Sequence, residues 1–423
     1  MANLTAENVS KALDNRLAGA VDFLARMIRE PSVHGAEGRV QEMIGREFSA
    51  LGAETRLAQI DDSLMGDPEY SAPAEPKSFH GRPNVISILR GAGGGRSILL
   101  NAHSDVVPAS SWPAAFDPVV AADRVVGRGA ADDKGQIAAI YLTFAVLRDL
   151  GVTLKGDVAA AIVIDEEIGG NGALALIRQG LRADAAVVME GTDLKLYSAN
   201  RGALWFRLTV TGHSTHMGKK WQGTSAIDQM MEAVRILYRY EKRLIRTSRG
   251  VPLFRYCRPV PTQVNVGTMR AGDWPSTVPA AAVIEGGVGF LPNRDLEIVK
   301  RELKEIFETE AGEWLRGHYS LEFPKLHNDA YVTDPRHPFV RAAGRSARCV
   351  GLDGRARGWI VSCDARLFAR VAGIPTVCFG AGNIDQAHSN TEHVLIADLR
   401  KAAEMLLFLL ADWCDRAPAA KEG

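Results

Sequence analysis

The sequence has little cysteine, and the few cysteines exclude two kinds of structural site. Its 423 residues include five cysteines, an odd number at wide spacings with no close pair near histidines. We therefore expect neither disulfides nor a zinc site built from thiolates. Cys378 lies in the apolar run 374–379, where a cysteine acts as a small buried hydrophobe.

The sequence also lacks an excess of charge and any long apolar run. Its 50 basic side chains balance its 50 acidic ones, so overall charge gives no reason to expect nucleic acid as a partner. The N-terminal residues show no basic region followed by an apolar run, and no stretch approaches the ~20 apolar residues needed to cross a bilayer. We expect a cytoplasmic protein that does not contact membranes.

Short β-prone runs alternate with amphipathic helices along much of the chain. A helical period runs over 17–51 with a break at Pro31, strands are predicted at 97–100, 158–164, 185–189 and 375–379, and further helices at 137–147 and 399–410. This alternation predicts an α/β domain, a mostly parallel sheet covered by helices. A chain of this length is expected to form two domains.

Between about residues 202 and 290 the pattern changes to strand, helix, strand, strand. We interpret this region as an inserted, smaller α+β domain over 198–314, which makes the catalytic domain discontinuous over 1–197 and 315–423. A polar, proline-rich stretch at 61–83 is long for a connection and is expected to line a substrate entrance.

Acidic and imidazole side chains follow several of the predicted strands. His103 and Asp105 follow the first, Glu166 and Glu167 the second, Glu190 the third and His388 the last. Open α/β sheets bind their ligands at this end of the strands. The spacing of His103 and Asp105 lets the imidazole bind a metal while the carboxylate holds its other nitrogen.

Two acidic clusters have other readings when each is taken alone. Asp132 and Asp133 end a glycine-rich segment at a helix start, where an acid also serves as a cap. A phosphate loop is a weaker reading, because the full GxxxxGK[ST] pattern is missing. The three acids at 165–167 also fit a solvated loop, or carboxylates whose repulsion a cation relieves.

Taken together, two histidines and three carboxylates form a ligand set for zinc, manganese or cobalt. Such sites favour hydrolysis, with one carboxylate bridging two ions ~3.5 Å apart. A carboxylate that binds neither ion is still needed to move protons.

In these residues the sequence resembles the metallopeptidase and deacylase family of acetylornithine deacetylase, succinyl-diaminopimelate desuccinylase, aminoacylase, carnosinase and the glutamate carboxypeptidases. The resemblance implies two divalent ions per subunit and the following roles. One ion would be held by His103, Asp132 and Glu190, the other by Asp132, Glu167 and His388, with Glu166 as general base, Asp105 orienting His103, and Asp133 as the second residue of the bridging unit.

The resemblance extends to the inserted domain. His216 matches a histidine that reaches into a neighbouring subunit's active site and stabilises the oxyanion there, which implies a homodimer formed through the inserted dimerisation (lid) domain. His213 is expected to be an exposed loop residue. Arg201, Asn265 and Arg366 fall at positions that resemble substrate contacts and suit a carboxylate on a small-molecule substrate.

Two positions depart from the family pattern. Gly289 stands where many members have an arginine, and Ser276 where an asparagine is common. With Trp112, Trp205, Trp221 and Trp274, these changes leave room for a flatter or aromatic substrate.

The function we favour is hydrolysis of a non-peptide C-N bond, an N-acyl amide of a carboxylate-bearing substrate. Three alternatives stay open: a deaminase that releases ammonia from an aromatic or heterocyclic amine, a dipeptidase or carboxypeptidase, and a binding protein without catalysis. Glu166 argues against the last, since a site that only holds metal has no need of a non-ligand acid.

Overall fold

The computed structural model describes residues 4–73, 75–324 and 326–417. The first part of the chain contains α1 (Ala6–Ile28), α2 (Gly38–Ala50), β1 (Glu54–Ala58), β2 (Asn84–Leu89), β3 (Ile98–His103), β4 (Val119–Val120), β5 (Arg124–Val126), α3 (Lys134–Asp149), β6 (Val158–Val163), α4 (Asn171–Arg178), β7 (Ala186–Val188) and β8 (Tyr197–Asn200). The middle contains β9 (Gly202–Thr211), α5 (Ala226–Ser248), β10 (Gln263–Ala271), β11 (Ala281–Phe290), α6 (Leu296–Glu310), α7 (Glu313–Gly317), β12 (Tyr319–Glu322) and β13 (His327–Asn328). The last part contains β14 (Tyr331–Val332), α8 (Pro338–Cys349), β15 (Arg357–Trp359), β16 (Thr376–Cys378), β17 (His393–Leu395) and α9 (Ile396–Cys414).

The main sheet has a parallel centre and antiparallel edges. Its strands lie in the order β1-β2-β6-β3-β7-β16-β8-β14, with β15 beside β8. The central strands β6, β3, β7 and β16 run parallel to one another. They are rich in valine, isoleucine, leucine and alanine, as expected for strands buried on both faces. The expected α/β class with a mostly parallel, helix-covered sheet is confirmed.

Helices cover both faces of this sheet. Residues of α1, α2, α3, α8 and α9 pack into one core that includes Leu24, Phe144 and Leu406. On the other face, α4 packs through Leu174 and Ile177 into a second core. None of the described helices is long and apolar enough to cross a membrane.

The first helical segment divides at the predicted break but begins earlier than the pattern indicates. α1 starts at Ala6, and the hydroxyl of Thr5 accepts the backbone N–H of Asn8 at 3.2 Å. This cap satisfies a backbone donor that the first helical turn leaves free. The prediction of a start near Leu17 was wrong because it followed the strongest apolar period and missed the cap.

A smaller antiparallel sheet forms an inserted α+β unit. Its order is β10-β11-β9-β12, with β13 beside β9. One face packs against α5, α6 and α7 around a core of its own. Arg201 is the one residue between the end of β8 in the main sheet and the start of β9 in this sheet. The bounds 198 and 314 stay a prediction; the strands of the smaller sheet lie between Gly202 and Asn328.

Candidate metal centre

The order of the central strands brings the predicted site residues to one edge of the main sheet. His103 is the last residue of β3, while Glu167, Glu190 and His388 follow β6, β7 and β16. These strands are parallel neighbours, so their carboxyl ends share an edge. Asp132 reaches the same place from the segment just before α3. Sheet order therefore assembles side chains that lie far apart in sequence.

Asp132 lies between the two histidines. Its Oδ1 is 3.0 Å from Nε2 of His103, and its Oδ2 is 3.4 Å from Nε2 of His388. Nε2 of His388 is also 3.1 Å from Oε1 of Glu167. Each oxygen of the Asp132 carboxylate thus faces a different histidine, as a carboxylate that bridges two ions must do.

The donor atoms form two groups that share Asp132. In each group the atoms lie within 4.8 Å of one another, and the groups are His103, Asp132, Asp133 and Glu190, and Asp132, Glu167 and His388. Asp133 is the addition to the predicted sets. Its Oδ2 accepts the backbone N–H of His103 at 3.0 Å, and its Oδ1 has no hydrogen-bond partner within the described part of the chain.

The electrostatics of the two groups fit bound cations. Burial raises the pKa of Glu190 well above its usual range, and the neighbouring Asp133 raises it further. Burial also raises the pKa of Glu167, with Asp132 adding to the effect. Hydrogen bonds to Asp132 and Glu167 raise the pKa of His388 to about 10. Carboxylates crowded together out of water need compensating positive charge, and oxygen and nitrogen donors without sulfur suit divalent ions.

Asp105 contacts both halves of the centre. Nδ1 of His103 lies 3.0 Å from its backbone carbonyl oxygen and 3.4 Å from its Oδ1. The Asp105 carboxylate also accepts the backbone N–H groups of Glu166 at 3.2 Å and Glu167 at 3.0 Å. The sequence indicated only the contact with His103. The structure adds a carboxylate that holds the turn bearing both glutamates.

Glu166 stands beside the two groups without belonging to either. Burial raises the pKa of its carboxyl well above the usual range; His103 opposes that shift, and Asp364 and Glu167 reinforce it. Both carboxylate oxygens of Asp364 are buried without a hydrogen-bond partner among the residues described. An acid with a raised pKa is suited to exchanging protons near neutral pH.

The predicted substrate contacts separate into two places. Arg201 and Asn265 line one cavity, together with Gly289. Arg366 is buried elsewhere, where its Nη2 donates to the carbonyl of Gly169 at 2.9 Å and its Nη1 lies 3.5 Å from Glu69.

His216 is not a member of either group of candidate metal ligands in its own chain. It is exposed in the segment between β9 and α5, and its Nδ1 accepts the backbone N–H of Gly218 at 3.1 Å. His213 is exposed in the same segment, as expected.

A further acidic cluster next to the centre carries its own cation. His34, Glu37 and Asp165 place donor atoms close together. Arg82 fills the cluster: its Nε lies 2.6 Å and its Nη2 2.7 Å from the Glu37 carboxylate, and Nη2 also donates to Asp165. The guanidinium supplies the charge that a metal would supply. This cluster therefore supports the residue before Glu166 and is no ion site.

Arg128 and Glu392 form a support that the sequence analysis missed. Oε1 of Glu392 accepts the backbone N–H groups of Gly129, Ala131 and Asp132 at 2.9, 3.0 and 3.1 Å. Its Oε2 lies 2.6 Å from Nη1 of Arg128, which also donates to the carbonyl of Ser389 at 3.2 Å. The pair thus ties the Asp132 loop to the His388 loop. Its members are 264 residues apart, so no local pattern could have linked them.

We predict that Glu392→Ala lowers both metal content and stability. The change leaves three buried backbone donors without an acceptor and the Arg128 charge without a counterion, and breaking a buried pair costs ~3–5 kcal/mol. Thermal unfolding in chelator measures the stability, and elemental analysis measures the ions bound per chain. Glu392→Gln keeps an oxygen acceptor and should retain more metal, and Glu7→Ala, on the exposed surface of α1, is the control. Normal melting and full metal content in Glu392→Ala would contradict this role.

Comparisons with known proteins show which family the chain belongs to. A family model described as Peptidase family M20/M25/M40 matches residues 99–412. The chain is 26% identical over 361 residues to N-formyl-4-amino-5-aminomethyl-2-methylpyrimidine deformylase of Halalkalibacterium halodurans, covering 78% of this chain and 83% of that protein. It is 26% identical over 410 residues to acetylornithine deacetylase of Shigella sonnei, covering 95% and 100%.

The fold is similar to that of solved structures as well. The crystal structure of a tripeptidase from Staphylococcus aureus superposes with a TM-score of 0.75 at 21% identity, covering 93% of this chain and 97% of that one. The expected family resemblance is confirmed, because the family model matches well over half of the chain. The chain belongs to Peptidase family M20/M25/M40 and is a metal-dependent hydrolase of carbon-nitrogen bonds.

Proposed function

We propose that this hydrolase cleaves a non-peptide C-N bond, the N-acyl amide bond of a small carboxylate-bearing substrate. His103, Asp132 and Glu190 would hold one divalent ion, and Asp132, Glu167 and His388 the other, each zinc, manganese or cobalt. One observation carries the proposal: the two oxygens of Asp132 face two different histidines while Glu166 stands free beside them.

The chain's own residues supply proton transfer and positioning. Two divalent ions in such a site polarise a substrate carbonyl and favour ionisation of water. Glu166 would take a proton from the attacking water and deliver it to the departing nitrogen, and its raised pKa suits both steps. Asp105 fixes the backbone of Glu166 and Glu167, so the two side chains keep separate tasks.

The substrate class rests on two observations. The two similar proteins above are named as a deformylase and a deacetylase, and both names describe removal of an acyl group. In this chain, the guanidinium of Arg201 and the amide of Asn265 line one cavity and suit a carboxylate. Arg366 stays a predicted contact, although its guanidinium is bonded to Gly169 in the structure.

A homodimer formed through the inserted unit is part of the proposal. Ile227, Met231 and Tyr238 are 36%, 45% and 43% exposed, and their spacing places them on one side of α5. Trp221 and Trp274, in neighbouring segments of the same unit, are 79% and 68% exposed. Exposed apolar side chains in such number favour a protein interface. In a dimer, His216 would act on the oxyanion in the partner's site.

The proposed reaction predicts which substrates are turned over. Protein loaded separately with zinc, manganese or cobalt should release free amine from N-acyl amino acids faster than from dipeptides, and should release no ammonia from aryl amines. Assays of amine and ammonia on one panel measure all three. Faster cleavage of dipeptides would point to a peptidase, ammonia release to a deaminase, and no turnover to a binding protein.

Glu166→Ala should separate catalysis from metal binding. Removing a general acid-base group lowers the rate ~10²-fold or more, while both ion groups stay intact. The rate and the metal content are measured on the same preparation. His103→Ala and His388→Ala are the comparison variants, since they should lose metal. A near-normal rate in Glu166→Ala contradicts its assignment.

The trans role of His216 predicts complementation. His216→Ala and Glu166→Ala should each be inactive alone and regain part of the activity after mixing under subunit exchange, because one site in the mixed dimer keeps both residues. Sedimentation measures the dimer. A protein that stays monomeric, or a mixture that stays inactive, rules out the trans role.

A further inference from the structure

The smaller sheet has one covered face and one open face. Leu204, Phe206, Val288 and Phe290 are buried against the helices. The residues between them, which alternate along the strands, point to the opposite side. There, a cavity of about 360 Å³ is lined by residues of β9, β10 and β11 and by Arg201. Its volume is within the ~300–1,000 Å³ that small-ligand sites occupy.

The strand register gives this cavity a flat floor. Gly287 lies opposite Trp205 on one side and Asn265 on the other, and Gly289 lies opposite Ala203 and Gln263. Neither glycine has a side chain, so the backbone itself forms the floor, and a ligand can approach it closely at Gly287. The indole of Trp205 is 48% exposed and stands next to Gly287, where an added Cβ would lie 3.5 Å from its Cδ1.

Polar groups close one end of the floor. A Cβ added to Gly289 would lie 2.8 Å from Nη1 of Arg201 and 2.9 Å from Oε1 of Gln263. The guanidinium therefore extends over the position that lacks a side chain. We call the set Arg201, Trp205, Gln263, Asn265, Gly287 and Gly289 the shelf.

Arg201 is the charged residue of the shelf, and it has no counterion among the described residues. Its Nε is buried without a hydrogen-bond partner, and its side chain forms no salt bridge with any described residue. Burial lowers its pKa, with no carboxylate opposing that shift. The other charges on this face compensate each other, since Nη2 of Arg207 lies 2.6 Å from Oε1 of Glu285. A partly buried guanidinium without a counterion is costly, and a carboxylate relieves that cost through paired hydrogen bonds.

We propose that the shelf binds a planar aromatic ring that carries a carboxylate. The ring lies on the Gly287 backbone beside the Trp205 indole, and the carboxylate binds Arg201, whose guanidinium lies over Gly289. Flat rings pack well against an exposed indole. The inference rests on the proposed function in one respect, because the ring and its acid are taken to be part of the substrate whose amide the metal centre cleaves.

The test compares three probes that differ in one feature each. They are 4-acetamidobenzoate, the saturated trans-4-acetamidocyclohexanecarboxylate, and acetanilide, which has no carboxylate. Calorimetric titration of the metal-loaded Glu166→Ala protein, in which turnover of the probes should be ~10²-fold slower or more, gives the affinities. We expect 4-acetamidobenzoate to bind at least ~10-fold more tightly than either of the others. Equal affinities for the flat and saturated acids would overturn the proposal.

Further variants, made in the Glu166→Ala protein, show which residue causes the preference for a carboxylate and which causes the preference for a flat ring. Arg201→Met should remove the advantage of the carboxylate probe over acetanilide. Trp205→Leu should remove the preference for the flat ring, and Trp205→Phe should keep it. Arg270→Met is the control, because Arg270 is an exposed residue of β10 that does not line the cavity. It should change none of the affinities. If Arg201→Met does not fold by circular dichroism, Arg201→Lys, which keeps the charge and loses the paired geometry, should weaken 4-acetamidobenzoate selectively. Unchanged affinities in the Arg201 variants would also overturn the proposal.

Failure of the shelf and failure of the proposed function give different results. If wild-type protein cleaves N-acyl amino acids and the probes show no ranking, the shelf is wrong and the function stands. If the probes rank as expected and no amide is cleaved, the shelf stands and the function is wrong.

Discussion

Several carboxylates lie close together at the edge of the main sheet where its parallel strands end. Their mutual repulsion, out of contact with water, is the physical constraint on which the rest of the structure depends. Asp132 shares its two oxygens between His103 and His388. Burial opposes ionisation of Glu167 and Glu190. Divalent ions supply the positive charge that lets these carboxylates ionise. The same crowding and burial that are unfavourable without ions therefore make this edge of the sheet a good set of metal ligands.

Holding such side chains in place requires supports in segments without regular secondary structure. The backbone N–H groups after β6 and before α3 have no strand or helix to bond to, and buried carboxylates accept them instead. Asp105 does so for the turn of Glu166 and Glu167, and Glu392 for the loop of Asp132. Each support therefore satisfies buried donors while it fixes a ligand or the acid beside it.

The inserted unit provides a second surface, and its first strand follows the last residue of β8 in the main sheet after a single residue. One face of its sheet packs into a core of its own. On the other face, glycine backbone lines an open cavity. Arg201 joins the two sheets and carries an unpaired guanidinium at their junction. The proposed chemistry and the proposed substrate recognition thus lie on two sheets that one residue connects.

The sequence by itself determined the α/β class, the inserted unit and the residues gathered at the sheet edge. It could do so because apolar period and strand-end position are local, and parallel strands bring their carboxyl ends together whatever the loops do. Only the tertiary structure decided that Arg128 meets Glu392, that Arg366 bonds to Gly169, and that Arg201 extends over Gly289. These contacts depend on strand order and register between distant segments, and the local pattern of side chains does not specify either.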